Sequence, residues 1–223
     1  MIAAPSGEPK AVTRLVILIS GRGSNMEALF EAALPVEFAA VISNRAEAQG
    51  LQTAAARGIA TAVIDHKAYA DRAAFDTALM TEIDRHAPDL VVLAGFMRVL
   101  TDGFVNHYAG RLINVHPALL PSFPGLHTHE RALAAGVKLH GCTVHFVTPE
   151  VDVGPIVIQA AVPVLDDDSP DTLAARVLTE EHRVFPQAIR WFAEGRITLT
   201  AEGTVRLMPA ATDAVPLISP PLD

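Results

Sequence analysis

Apolar residues in the first hundred positions fall into short unbroken runs separated by stretches with helical spacing. Leu15 to Ile19 and Leu90 to Ala94 are continuous aliphatic runs, the pattern of strands buried on both faces. Phe38 to Ser43 and Thr61 to Ile64 predict two further short strands. Between these lie Met26, Leu29 and Phe30 at helical spacing, a second helix from Ala46 to Arg57, and Gly58 as its stop. Asp71 to His86 is amphipathic, with Phe75, Leu79 and Ile83 on one stripe, and Pro88 separates it from the next strand. Strand and helix thus alternate four times. That alternation is the signature of an open parallel sheet with right-handed crossovers.

The second half is less regular. Arg111 to Val115 predicts a strand around its Leu112-Ile113 core, and Glu130 to Ala135 a short helix. Gly141 to Val147 and Ile156 to Val164 bracket a turn-rich loop, Thr148 to Pro155, and should pair as a hairpin at the far side of the sheet. Thr172 to Glu194 predicts a long helix interrupted and kinked at Pro186. Ile197 to Thr200 and Thr204 to Leu207 form a terminal hairpin about Ala201-Glu202-Gly203. The expected class is α/β: an open, mostly parallel twisted sheet, helices on both faces, in a Rossmann-like arrangement. The expected organisation is a flexible extension over 1–12, a single domain over 13–208, and a flexible proline-containing tail over 209–223.

Composition narrows the choices. The chain has 223 residues, half of them apolar and 19% charged, enough for a substantial core. Its net charge of −8, without a basic run, makes it a poor grip for a nucleic-acid backbone. The single cysteine, Cys142, rules out an intramolecular disulfide and lies in an apolar run, as a buried inert thiol would. No basic segment followed by a long apolar run opens the chain, and no stretch has the apolar length of a membrane span. A cytoplasmic protein is expected.

Asn114 and His116 stand two apart at the end of a predicted strand, so their side chains leave the same face. An amide, an imidazole and a nearby carboxylate would supply an oxyanion donor, a proton carrier and a group that tunes it. Asp152, in a loop some forty positions on, is the candidate carboxylate, unless it is simply solvated. Beside His116 it would favour the imidazolium form and ready the ring to donate. Asn-x-His before Pro117 can also do no more than close a turn.

Gly21-x-Gly23-Ser24-Asn25 joins the first strand to the first helix, where backbone N–H groups and the helix dipole favour an anion. It lacks the third glycine of a dinucleotide fingerprint and the Gly-Lys-Ser/Thr of a P-loop. Ser43-Asn44-Arg45 stands where a ribose-binding acid would follow the second strand. A phosphate monoester fits better than NAD or ATP, and a turn without a ligand stays open. Met97, Val99 and Leu100 follow the fourth strand and can wall a slot for a flat ring or belong to the core. Histidines 116, 127, 129, 140 and 145 crowd into thirty residues. His127-x-His129 has metal spacing, but no Cys or Glu completes a set, so no metal is expected. His145 alternates with Val144 and Phe146 and can face a cleft or serve as a structural histidine.

These residues resemble the folate-dependent formyltransferases. The matching segments are SGRGSN at 20–25, VVLAGFMRVL at 91–100, RLINVHPALLPSFPGLHTH at 111–129, HGCTVHFV at 140–147, VDVGPI at 151–156 and TEEH at 179–182. The likeness covers roughly residues 14 to 200. It implies transfer of a formyl group from 10-formyltetrahydrofolate, as co-substrate, to the amine of glycinamide ribonucleotide in purine synthesis, with no metal. By that resemblance Asn114, His116 and Asp152 are catalytic. Gly23, Ser24 and Asn25 take the phosphate, and Leu178, Thr179, Glu180 and Glu181 line the ribonucleotide side. Arg72, Met97, Arg98, Val99, Leu100 and the loop Thr148, Pro149, Glu150, Val151 and Asp152 hold the folate, together with Asn114. Two positions depart from the pattern. Val153 replaces a usual glycine, which would stiffen or shift the Asp152 loop, and Arg22 varies within the phosphate turn.

Within the same family, a methionyl-tRNA formyltransferase would need a further nucleic-acid-binding domain and a basic surface. A formyltetrahydrofolate hydrolase would carry an extra N-terminal domain and have no use for the phosphate turn. A silent folate- or nucleotide-binding protein would not need Asn114, His116 and Asp152 together. The expected partners are small molecules, neither nucleic acid nor membrane, with the chain acting as a monomer or homodimer.

Overall fold

The computed structural model describes residues 12–210 together with Leu217 and Ser219. The remainder of the two terminal extensions lies outside the described residues. Strands β1 Thr13–Ile19, β2 Val36–Ser43, β3 Ala60–Val63, β4 Leu90–Leu93, β5 Leu112–His116, β6 Leu139–Phe146 and β7 Ile156–Pro163 form one 7-stranded sheet. Their spatial order is β3-β2-β1-β4-β5-β6-β7. The first five pair in parallel, and β6 and β7 continue the sheet antiparallel, as a hairpin at its far edge.

The aliphatic runs make sense in this sheet because alternate residues serve two different cores. Leu15, Ile17 and Ile19 of β1 pack with Met26 and Leu29 of α1 (Ser24–Glu31), Leu51 and Ala54 of α2 (Gln49–Ala56), and Phe185 and Ile189 of α6 (Pro170–Ala193). Val16 and Leu18 face the other way. They pack with Phe75, Leu79 and Ile83 of α3 (Arg72–Asp84) and Phe104 and Val105 of α4 (Asp102–His107). The predicted stripe on α3 is therefore its core face, and Asp71 caps its start by accepting the Ala74 N–H at 2.8 Å.

Several boundaries differ from expectation. The helix α4 was not expected at all: it is 6 residues long and contains Gly103. Its sequence signal is Thr101, whose hydroxyl accepts the Phe104 N–H at 3.3 Å. Helix α5 (Thr128–Ala135) begins at Thr128 rather than Glu130, after a left-handed His127. Helix α6 begins at Pro170 behind a Ser169–Thr172 capping box. It also runs through Pro186 as one 24-residue element, so the expected interruption is absent. Proline removes one backbone donor there, but Phe185, Pro186, Ala188 and Ile189 are all buried, and that packing holds the helix together. The terminal hairpin is present as β8 Ile197–Leu199 and β9 Val205–Leu207.

The strand order sets where a ligand can enter. The chain moves outward from β1 to β2 and β3, then returns to place β4 on the other side of β1. The loops after β1 and β4 therefore diverge, opening a crevice at the carboxyl ends of the two strands.

Candidate active site

The first wall of the crevice is the turn after β1. Gly23 caps α1 with φ of +83°, a left-handed conformation that glycine adopts without cost. The first intrahelical bond runs from the Glu27 N–H to the Gly23 carbonyl at 2.9 Å, so the N–H groups of Ser24, Asn25 and Met26 precede the ladder. With Arg22, Arg45, Gly95 and Met97 this turn lines a cavity of about 380 Å³. Among the described residues neither Arg22 nor Arg45 makes an ion pair. Backbone donors at a helix N-terminus, with two cations beside them, favour an anion here.

Ser20 stitches the turn to the segment after β4. Its hydroxyl donates to Asn44 Oδ1 at 2.6 Å and accepts the Met97 N–H at 2.8 Å, while its own N–H bonds the Gly95 carbonyl at 3.2 Å. Ser20 opens the SGRGSN segment and Asn44 lies in Ser43-Asn44-Arg45, but neither segment announces this bridge. Ser43-Asn44-Arg45 offers no acid to a ribose, yet Asn44 braces this cavity and Arg45 lines it.

The second cavity, about 790 Å³, opens beside the first and shares Asn25, Gly95 and Met97 with it. Met97, Arg98, Val99 and Leu100 form one wall, and Thr148, Pro149, Val151 and Asp152 another. Met97 is 63% exposed and Val99, Leu126 and Val151 are also exposed, an apolar rim that none of the described residues covers. The loop and helix start from Gly125 to Glu130 close a third side. Neither the spacing of His127-x-His129 nor the likeness over 111–129 assigns this wall to the cavity.

Asn114, His116, Asp152 and Glu181 all line this larger cavity. His116 Nδ1 lies 3.4 Å from Asp152 Oδ2, and its Nε2 donates to the Phe123 carbonyl at 3.0 Å. Both ring nitrogens thus face oxygen atoms. Asp152 Oδ2 also accepts the Gly125 N–H at 2.8 Å, tying the two loops together. Asp152 itself takes the left-handed φ of +58°, whereas Val153 does not, so the missing glycine at 153 puts no backbone strain into the loop. Gly154 is the glycine the loop requires: a Cβ there would lie 1.8 Å from the Phe146 carbonyl oxygen.

Glu181 reaches in from α6 and accepts Asn25 Nδ2 at 2.7 Å, with both residues buried. Burial pushes the Glu181 carboxyl above the usual carboxylate range, against the opposing pull of the Asn25 hydrogen bond and His116. Asn25 Oδ1 is buried without a partner among the described residues.

Other predicted site residues lie apart. Arg72 opens α3, and Leu178, Thr179 and Glu180 occupy the turn of α6 before Glu181; none of them, nor Glu150, lines either cavity. Glu180 instead pairs with Arg183 at 2.8 Å. His140 is a core histidine, pushed down to about 4 by burial first and by His129 second. Among the described residues no group of three or more His, Cys, Asp or Glu is placed to hold a metal. Burial pushes the Cys142 thiol up to about 12, which removes it as a nucleophile near neutral pH.

A small polar cavity beside a larger, mostly apolar one, with an amide and an imidazole–carboxylate pair lining the larger, suits group transfer between two bound molecules. The sequence profile of the formyl transferase family matches residues 13–189. This chain belongs to that family. The phosphoribosylglycinamide formyltransferase of Escherichia coli K12 is 52% identical over 189 residues, covering 83% of this formyl transferase and 89% of the relative. The trifunctional purine biosynthetic protein adenosine-3 of Bos taurus is 46% identical over 204 residues, covering 90% of this chain but 20% of that protein. Among solved structures, glycinamide ribonucleotide transformylase 1 of Symbiobacterium toebii superimposes with a TM-score of 0.86 at 46% identity, covering 91% of this chain and 99% of that one. The fold is thus shared with the Symbiobacterium toebii structure along nearly the whole of that chain. Among the described residues no helix is long and apolar enough to cross a membrane.

Proposed function

We propose that this chain transfers a formyl group from 10-formyltetrahydrofolate to the glycinamide amine of 5′-phosphoribosylglycinamide, giving the N-formyl product and tetrahydrofolate in purine synthesis. The observation that carries this reading is the junction of two unlike cavities at Asn25, Gly95 and Met97, with Asn114, His116 and Asp152 lining the larger. The small cavity suits a phosphate monoester, and the large one has the volume and apolar lining for a reduced pterin.

The geometry suggests a division of labour. The substrate amine is the nucleophile, so no Ser or Cys needs activating, and holding amine and formyl carbon together supplies much of the rate. Attack forms a C–N bond and places negative charge on the formyl oxygen. The Asn114 amide and the His116 ring stabilise that charge, at about 3 kcal/mol for a good donor. His116 exchanges its Nε2–H bond from the Phe123 carbonyl to the substrate, and Asp152 steadies the charged ring. The tetrahedral adduct then collapses: the bond to the folate nitrogen breaks, that nitrogen gains a proton, and the amine loses one. Glu181 and Asn25 position the ribonucleotide at the mouth of the anion cavity. Arg72, Leu178 to Glu180 and Glu150 belong to this reading by family likeness and not by position. Small molecules bind at this site, and we place the chain in the cytoplasm with the rest of purine synthesis.

The test is release of tetrahydrofolate from 10-formyltetrahydrofolate by purified protein, with and without glycinamide ribonucleotide. Release that requires the ribonucleotide is expected. Equal release in its absence would make the protein a hydrolase, and none in either case would leave it a binding protein.

A further inference from the structure

His145 stands directly opposite Asn114 in the antiparallel β5–β6 pair, so the two side chains leave the sheet on the same side. Asn114 Nδ2 and His145 Nε2 are 3.2 Å apart. On the far side of the ring, His145 Nδ1 lies 3.1 Å from the Phe146 carbonyl oxygen. A carbonyl can only accept, so Nδ1 carries the hydrogen, and in a neutral imidazole Nε2 is then an acceptor. An acceptor at that place can face the NH₂ end of the Asn114 amide but not its oxygen. Burial at 1% exposure holds the ring neutral, opposed by the Phe146 carbonyl and by Asp152, whose Oδ1 is 3.8 Å from Nε2, and reinforced by the charge of His116. Among the described residues the Asn114 amide makes no other hydrogen bond, although it lines the large cavity.

We propose that His145 is a positioning residue of the formyl-transfer site. Locked as its Nδ1–H tautomer by the Phe146 carbonyl, it takes one hydrogen of the Asn114 amide and leaves the other in the cavity as the oxyanion donor. This inference rests on the function proposed above. Without His145 the amide is free to turn about its last torsion, and the end then presented to the formyl oxygen is itself an oxygen, which repels the developing charge. A histidine that merely filled the sheet face would have no say in which end of Asn114 the substrate meets.

The tautomer is tested without reference to activity, by side-chain ¹⁵N NMR of the histidines. We expect a protonated Nδ1 and a bare Nε2 for His145 near neutral pH, with the Nε2 signal moving in Asn114→Ala. A protonated Nε2 overturns the proposal whatever reaction the protein catalyses. Steady-state kinetics then separates positioning from packing. His145→Leu should lower kcat roughly 10- to 100-fold with little change in either KM. His145→Gln, whose Oε1 reaches the place of Nε2, should recover most of that loss. In an Asn114→Ala background His145→Leu should cost almost nothing more, because its effect runs through the amide. A full further loss in that background, or a Gln variant no better than Leu, with native circular dichroism in each, overturns it. Wild-type protein that fails to transfer formyl refutes the function itself, while the NMR result still decides the tautomer.

Discussion

Asp152 Oδ2 lies 3.4 Å from His116 Nδ1 and at the same time accepts the Gly125 N–H at 2.8 Å. One carboxylate therefore both faces the imidazole and holds together the two loops that wall the larger cavity. The two duties can be separated by chemistry.

Asp152→Asn keeps an oxygen for Gly125 but removes the charge beside His116. We expect kcat to fall on the order of 10²-fold while thermal stability changes little, as measured by steady-state kinetics and a melting curve. Turnover near that of the wild type would take Asp152 out of the chemistry and leave it a loop tie.

Glu181 gives a pH signature. Its carboxyl is raised from the ordinary value of 4.5, chiefly by burial, so the folded state holds its proton more tightly than the unfolded state. Stability from this group is therefore fully present below pH 4.5 and is lost as pH rises through the folded-state value. Glu181→Gln retains an acceptor for Asn25 Nδ2 and has no such dependence. Melting temperatures across pH 4 to 8 should show the variant gaining on the wild type as pH rises, with weakened ribonucleotide binding. A constant difference would mean that Glu181 carries its charge without penalty.

Gly154→Ala places a methyl group 1.8 Å from the Phe146 carbonyl oxygen, which backbone cannot accommodate without moving. A loss of about 2–3 kcal/mol in urea unfolding is expected, together with reduced turnover from a displaced Asp152. By contrast Val153→Gly should change activity little, because Val153 is exposed and outside the left-handed region. A large effect at 153 and none at 154 would reverse this view of the loop.

Much of this arrangement is readable in the residue pattern because it is local. Leu15 to Ile19 is a buried strand by composition, the α3 stripe of Phe75, Leu79 and Ile83 is a core face by period, and Asn114-x-His116 share a face by strand geometry. What escaped is set by tertiary structure. Nothing in the run from β3 to β4 says that the chain crosses back over β1, yet that crossing opens the crevice. Helix α4 is too short to show a period, and α6 passes Pro186 because packing on both sides outweighs one missing donor. The Gly125 to Glu130 wall depends on a left-handed His127, a conformation that its side chain does not announce. Ser20 and Asn44 matter through hydrogen bonds between segments that follow different strands, and no local pattern marks either for that role.

The central claim is that the junction of the two cavities moves a formyl group from folate to amine by way of His116. It is tested most directly by following a ¹³C-formyl label on 10-formyltetrahydrofolate by NMR, with glycinamide ribonucleotide present, in wild type and His116→Ala. The account predicts that the wild type delivers the label to the glycinamide nitrogen, while in the variant it stays on the folate over the same time. Label appearing as free formate in the wild type, or reaching the amine equally fast in His116→Ala, would contradict it.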